Sequence, residues 1–175
     1  MSVCLFFVKH GKNRSMKTKD FLGQEWDIEC MGCAIRDQSM TVPGGFVKKT
    51  QHFCVHQDPL IPLPGFLVIA STRHIQSIVE MDSIEYDEFA KLIRDVHKAI
   101  KKVARVEYLT LVQEESSAHF HLWFFPWTQE VIDQYGNPSL TKIREIMAEY
   151  KMHSINELEW EKLENSITDI RKQVP

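Results

Sequence analysis

The sequence predicts an α+β fold: a sheet of about five strands, one long helix set among them, and a helical extension at the C-terminus. Three observations carry this. From Ser117 to Phe125 the side chains alternate, with Ser117, His119, His121, Trp123 and Phe125 on one face and Ala118, Phe120, Leu122 and Phe124 on the other, the period of a strand with one apolar face. Phe66 to Ala70 is a continuous apolar run of strand length, as expected for a strand buried on both faces. From Phe89 to Val103 the residues Phe89, Leu92, Ile93, Val96, Ile100 and Val103 recur at helical spacing. Asp82 and Glu85 stand ahead of them as a capping box.

Composition narrows the class. A chain of 175 residues, 43% apolar and 26% charged, fits one soluble globular domain with an appendage. The net charge of −3 and the absence of a basic stripe argue against a nucleic-acid polymer as partner; the adjacent lysine pairs, Lys48-Lys49 and Lys101-Lys102, read as solvated faces. Four cysteines (Cys4, Cys30, Cys33, Cys54) are too few for a disulfide framework at this length, so free thiols in a reducing, cytoplasmic compartment are expected. The apolar run from Val3 to Val8 is far short of the roughly 20 residues of a membrane span, and no basic segment precedes it.

In chain order, residues 3–9 read as a short strand and residues 11–20, basic and polar, as a loop. Cys30-Met31-Gly32-Cys33 spaces two thiols to grip one soft metal ion such as zinc. The same spacing suits a redox pair at a helix start or two small buried residues at a turn, and it does not choose among the three. Val42-Pro43-Gly44-Gly45 is a turn by composition. Residues 52–57 alternate as a strand, and three prolines (Pro59, Pro62, Pro64) then keep the chain irregular. The strand 66–70 ends near Arg73-His74. The long helix follows with His97 at its rim, then a strand over 107–113 and the alternating segment. Beyond Pro126 the composition shifts. A Gly136-Asn137-Pro138 turn is followed by a helix with Leu140, Ile143, Ile146, Met147 and Tyr150 on one stripe. A second helix is expected from a Ser154/Glu157 capping box to about Lys172, with Leu158, Leu163, Ile167 and Ile170 inward. The division is thus 1–127 for the main domain and 128–175 for the helical extension, which carries no candidate chemistry.

From about Cys30 to Pro126 these elements resemble the histidine triad family of nucleotide hydrolases and transferases. The residues that carry the resemblance are Cys30-Met31-Gly32-Cys33-Ala34-Ile35, Val42-Pro43, Pro59 through Ile69, His74, and the histidine segment itself. The resemblance implies that the five strands form an antiparallel sheet. Two registers fit the family's signature of three alternating histidines. Either Ser117, His119 and His121 fill the three positions, or His119, His121 and Trp123 do. Trp123-Phe124-Phe125-Pro126 matches the two apolar residues and proline that often follow the third histidine, and Glu115-Ser116 falls where a polar pair commonly precedes the first. The second register is therefore chosen.

In that register the resemblance implies that His121 is the nucleophile toward the α-phosphate of a nucleoside polyphosphate or phosphoramidate. His119 is its neighbour, Ser116 a hydrogen-bond donor to phosphate or leaving group, and Trp123 stands where the third histidine would be. An indole offers one N–H and cannot transfer a proton. The ribose position falls on Gln57 by an ungapped count and on Asp58 with a one-residue shift; Phe53, with Val55, lines either the base pocket or the core. Zinc-bearing members combine the CxxC pair with the first signature histidine and a histidine from the loop before the Leu-Val-Ile strand, where this chain has Gly65. Cys30, Cys33 and His119 thus give three ligands of a structural zinc site, with His52 or His56 as candidates for the fourth. The expected function is a nucleotide phosphohydrolase or nucleotidyl transferase acting on a small-molecule nucleotide; members of the family the chain resembles are often homodimers, and the sequence itself does not set the oligomeric state. The alternatives are a nucleotide-binding protein without turnover, which Trp123 favours, and a structural zinc module.

Overall fold

The structure, a computed structural model, describes residues 15–175, so the strand expected over residues 3–9 lies outside the described residues. Strands β1 (Met16–Lys19) and β2 (Glu25–Ile28) form an antiparallel hairpin with Met16 opposite Ile28. The segment expected to be a loop to residue 20 therefore ends in a strand. Its side chains are mostly exposed and polar, so no apolar alternation marks it. Asp20 closes the turn: one carboxylate oxygen accepts from the Leu22 and Gln24 amides and the other from the Trp26 indole.

The main sheet has five strands, β3 (Phe46–Lys49), β4 (Phe53–Gln57), β5 (Leu67–Ser71), β6 (Tyr108–Gln113) and β7 (His121–Trp127). Their order is β3-β4-β5-β7-β6, and every pairing is antiparallel. Five strands match the expected number, with β3 as a member that the alternation did not reveal. A register shift between Phe46 and Lys48 breaks its period. The histidine strand also starts later than its alternation suggests. Residues 115–119 are turns and bends, and β7 begins at His121. The Phe120 amide donates to the Ile75 carbonyl, and its carbonyl accepts from the Ser71 amide.

Among the described residues five α-helices complete the fold: α1 (Met31–Arg36), α2 (Ser83–Val103), α3 (Gln129–Tyr135), α4 (Leu140–Met152) and α5 (Glu157–Gln173). The capping box of α2 forms as its sequence dictates. Asp82 accepts from the Ile84 and Glu85 amides, and Glu85 accepts from the Asp82 amide. At α5 the box is Asn156 with Glu159, not Ser154 with Glu157. The helix starts two residues later than expected, and Leu158 in its first turn is exposed. Leu140, at the first turn of α4, is exposed as well.

The two sheet faces are covered differently. On one, Phe53, Val55, Leu67, Ile69, Leu122 and Phe124 pack against Phe89, Leu92, Val96 and Ile100 of α2 and against Leu163, Ile167 and Ile170 of α5. The C-terminal helix thus belongs to the main core. On the other face, Cys54, Val68 and Ala70 meet Ala34 and Ile35 of α1. Further along, Phe125 and Trp127 meet Val131 of α3 and Ile143, Ile146 and Met147 of α4. Between these two apolar clusters the second face is open, and there the functional side chains collect. Among the described residues no helix is long and apolar enough to cross a membrane.

Candidate functional site

Four side chains from three segments converge at the start of α1. Cys30, at the helix N-cap, and Cys33, one turn on, face His74 from the loop after β5 and His119 from the bend before β7. The His74 Nδ1 lies 3.6 and 3.1 Å from the two sulfurs, and the His119 Nδ1 lies 3.5 and 3.6 Å from them. All four ligand atoms fall within 4.8 Å of one another. Zinc–sulfur bonds of about 2.3 Å and zinc–nitrogen bonds of about 2.0 Å set a sulfur–nitrogen tetrahedral edge of roughly 3.5 Å. The spacing therefore suits one tetrahedral ion held by four protein ligands, and the cluster could hold a metal.

The surroundings support that role. His119 Nε2–H donates to the Ser71 carbonyl at 2.7 Å, which leaves Nδ1 as a lone pair aimed at the thiols. Metal-bound histidines are commonly oriented through their second nitrogen in this way. Burial holds the His119 imidazole below its ordinary pKa, against the opposing effect of that hydrogen bond. Burial, and then the Cys30 thiol, push Cys33 up to about 11; a bound cation is what would ionise it. Gly32 lies against the His119 ring so closely that a Cβ there would come within 2.4 Å of Cγ. This explains the small residue inside the CxxC. The fourth member of the cluster is His74, not His52 or His56. His52 turns toward Glu85 and Glu88 at 3.9 and 4.0 Å, and His56 is on the sheet floor. His74 is 44 and 41 residues from the two cysteines, so no local spacing could have singled it out.

Next to this cluster lies a cavity of about 310 Å³. Its floor is the open sheet face. The register sets Cys54, Ala70 and His121 in one row and His56, Val68 and Trp123 in the next. Residues Met31, Gly32 and Ile35 of α1 wall one side, and Met147 and Lys151 of α4 wall another. His121 Nδ1–H donates to the His119 carbonyl at 2.9 Å, so Nε2 carries the lone pair and has no hydrogen-bond partner among the described residues. The His121 and Trp123 rings are 5.0 Å apart. Trp123 also packs against Phe66 at 6.2 Å.

The other expected residues divide. Asp58 lines the cavity. Its Oδ1 accepts from the Leu60 amide at 2.8 Å, and burial raises its pKa against the lowering effect of that bond and of Lys151. Gln57 does not line the cavity. It alternates to the α2 side of β4, where its amide donates to the Ile61 and Leu63 carbonyls and pins the proline loop. Phe53 is in the core, stacked on Phe89 at 5.4 Å. Ser116 is exposed and outside the cavity, whereas Ser117 lines it and donates to the His119 carbonyl at 2.8 Å. Met147 and Lys151 are cavity residues that sequence reasoning missed; it offers His56 only as a metal ligand, and Ser117 only in the register that is set aside. For His56 the signal was present, since it shares a strand face with Cys54.

No family model and no curated protein matches this chain. Solved structures do. A hypothetical histidine triad nucleotide-binding protein from Sulfolobus tokodaii superposes with a TM-score of 0.59 at 18% identity, over 82% of this chain and 92% of that one. A Hit-like protein involved in cell-cycle regulation from Bartonella henselae gives 0.56 at 16% identity, over 82% and 95%. A zinc-bound histidine triad family protein from Mycobacterium smegmatis gives 0.51 at 11% identity, over 70% and 93%.

Proposed function

We propose that this chain, which has the histidine triad fold, is a nucleotide phosphohydrolase or nucleotidyl transferase with His121 as its nucleophile. The observation that carries the reading is the orientation of His121, which lines the cavity: Nδ1–H is held by the His119 carbonyl at 2.9 Å, while Nε2 has no partner among the described residues. A neutral imidazole nitrogen so held is a competent nucleophile. In the first step Nε2 forms a bond to the α-phosphorus, and the bond from phosphorus to the leaving group breaks, its electron pair departing with that group. In the second step water or another acceptor attacks the phosphorus and gives up a proton to solvent, and the phosphorus–nitrogen bond breaks with its electron pair returning to Nε2 to restore His121. The Nδ1 hydrogen bond to a carbonyl steadies the positive ring of the intermediate. Ser117 shares that carbonyl and stands 3.4 Å from Nδ1, a positioning role. Trp123 offers an indole N–H and cannot protonate a leaving group.

The tetrad of Cys30, Cys33, His74 and His119 would hold structural zinc, the ion that two thiols and two imidazoles suit best. The zinc-bound Mycobacterium smegmatis protein has the same fold. In this role the four ligands fix α1 against the sheet and fix the His119 carbonyl that orients His121. A second reading, nucleotide binding without turnover, is favoured by Trp123 alone, which stands at the third triad position and packs on Phe66.

The test is incubation with adenylated substrates, followed by mass spectrometry of the protein without acid quench. A nucleotidyl adduct on His121, lost in His121→Ala while nucleotide binding persists, is the expected result. Turnover that survives His121→Ala would refute the nucleophile. Binding with neither adduct nor turnover across a broad panel would establish the second reading.

A further inference from the structure

Like Asp58 and Lys151, His56 is a cavity residue whose chemistry the proposed reaction leaves unused. It sits in the middle of β4 and is 2% exposed. Its Nδ1 lies 2.8 Å from the Gln57 carbonyl. A carbonyl only accepts, so Nδ1 carries the ring hydrogen. The ring is neutral, because burial pushes its pKa down to about 4 and the neighbouring His121 adds to that effect, both outweighing the hydrogen bond to Gln57. The remaining nitrogen, Nε2, is therefore a hydrogen-bond acceptor. It is buried and has no partner among the described residues. Orphaned buried polar atoms are uncommon in folded proteins and ask for an explanation.

The sheet register says where this acceptor lies. His56 pairs with Val68, and Val68 with Trp123, while Ala70 pairs with both Cys54 and His121. His56 and His121 thus occupy neighbouring rows of one face, two strands apart. With adjacent strands about 4.8 Å apart and neighbouring rows about 6.7 Å apart along a strand, their backbones are roughly 12 Å apart. The floor between them is Val68 and Ala70, both apolar. A ligand whose reacting phosphorus meets His121 and whose body crosses that floor brings its far end to His56.

We propose that His56 Nε2 accepts a hydrogen bond from a neutral donor, a hydroxyl or an amino group, on the non-reacting end of the bound nucleotide, and so selects for ligands that carry one there. This rests on the nucleotide reading of the cavity. The acceptor is uncharged, so it discriminates by hydrogen bonding: a donor satisfies it, and an analogue lacking that donor leaves it unpaired, the situation in which polar sites discriminate most strongly. Its neutrality also means that a phosphate or carboxylate gains nothing from it.

The two sources of such a donor are separated by ligand choice. Affinities of the wild-type protein and of His56→Leu and His56→Gln are measured by titration calorimetry for adenosine monophosphate, its 2′-deoxy and 3′-deoxy forms, and inosine monophosphate. Thermal melting confirms that each variant folds. In the wild type one of the three analogues is expected to bind on the order of tenfold more weakly than adenosine monophosphate. A deoxy form identifies a sugar hydroxyl, and inosine monophosphate the base amine. In His56→Leu that difference collapses to within twofold, and His56→Gln, which can present an acceptor oxygen, restores part of it. If all four nucleotides bind and the differences are the same in wild type and His56→Leu, or none exists, the role of His56 is refuted and the nucleotide cavity stands. If none binds to the wild type at millimolar concentration, the nucleotide reading itself falls, and this assignment with it.

Discussion

Gly32→Ala is a single-methyl perturbation whose sign separates two physical effects. Gly32 lies in α1. On backbone grounds alone, alanine in a helix is better than glycine by up to about 1 kcal/mol. The tertiary structure opposes this. A Cβ at residue 32 would lie 2.4, 2.5 and 2.7 Å from the Cγ, Cδ2 and Nδ1 of His119, where contacts under 3.0 Å essentially never occur. The obstacle is a ring, not the tip of a flexible chain. It is held by the 2.7 Å hydrogen bond to the Ser71 carbonyl and by the thiols facing its other nitrogen. Overpacking of this kind costs about 1–3 kcal/mol, and a ring that swings away gives up a buried hydrogen bond worth about another 1 kcal/mol. The propensity gain is outweighed, and net destabilisation of about 1–3 kcal/mol is expected. In the proposed zinc site the ring that must move carries a ligand nitrogen, so zinc affinity should fall by about 10- to 100-fold, the usual result of disturbing a ligand's support. Urea unfolding with added zinc and with a chelator gives the first quantity, and competition against a chromogenic chelator the second. A Gly32→Ala protein at least as stable as the wild type in zinc, and holding it equally well, would refute both the close approach and the tetrad.

Two further outcomes follow from named contacts. Arg73 donates from Nε and Nη2 to the two oxygens of Glu85 at 3.0 and 2.7 Å, and with burial opposing, it holds that carboxyl at about 2, below its ordinary 4.5. A depressed carboxyl stabilises the fold fully above about pH 4.5, and that contribution is lost as the pH falls from there through 2. Arg73→Ala should therefore move acid unfolding, followed by circular dichroism, to higher pH; an unchanged midpoint would remove the pair from the stability of the fold. Ile167 of α5 is buried in the main core and touches the turn at Gly44, where an added Cβ would lie 2.7 Å from its Cδ1. Ile167→Ala should cost about 2–5 kcal/mol in urea unfolding; a loss below 0.5 kcal/mol, typical of surface changes, would mean that α5 does not share the core.

What could be read in the chain was what is encoded locally. The capping box of Asp82 and Glu85 works across three residues, and the structure forms it as written. The buried members of α2 recur at the helical period, and Phe120, Leu122 and Phe124 enter the core together as their alternation requires. Where local signals competed, nearby alternatives won. Asn156 took the cap expected of Ser154, and Ser117 rather than Ser116 turned into the cavity, because the chain bends through residues 115–119 before β7 begins. Gln57 and His56 differ by one residue, which on a strand is the difference between opposite faces. The ungapped count landed on the residue that faces α2.

By itself, the sequence determined the types of β4 to β7, α2, α4 and α5, though not of β1, β2, β3 or α3, together with the apolar faces and the chemical character of the histidine segment with its CxxC companion, since each depends on residues within one or two turns or strand repeats. Only the tertiary structure decided which groups meet. Cys30 and Cys33 reach His74 across 44 and 41 residues and His119 across 89 and 86. His56 is brought beside the His121 row by the pairing of β4, β5 and β7, and α4 of the C-terminal extension closes the cavity with Met147 and Lys151. Sheet register and helix packing set these distances, and both are fixed by how the whole core fills rather than by any segment's own pattern.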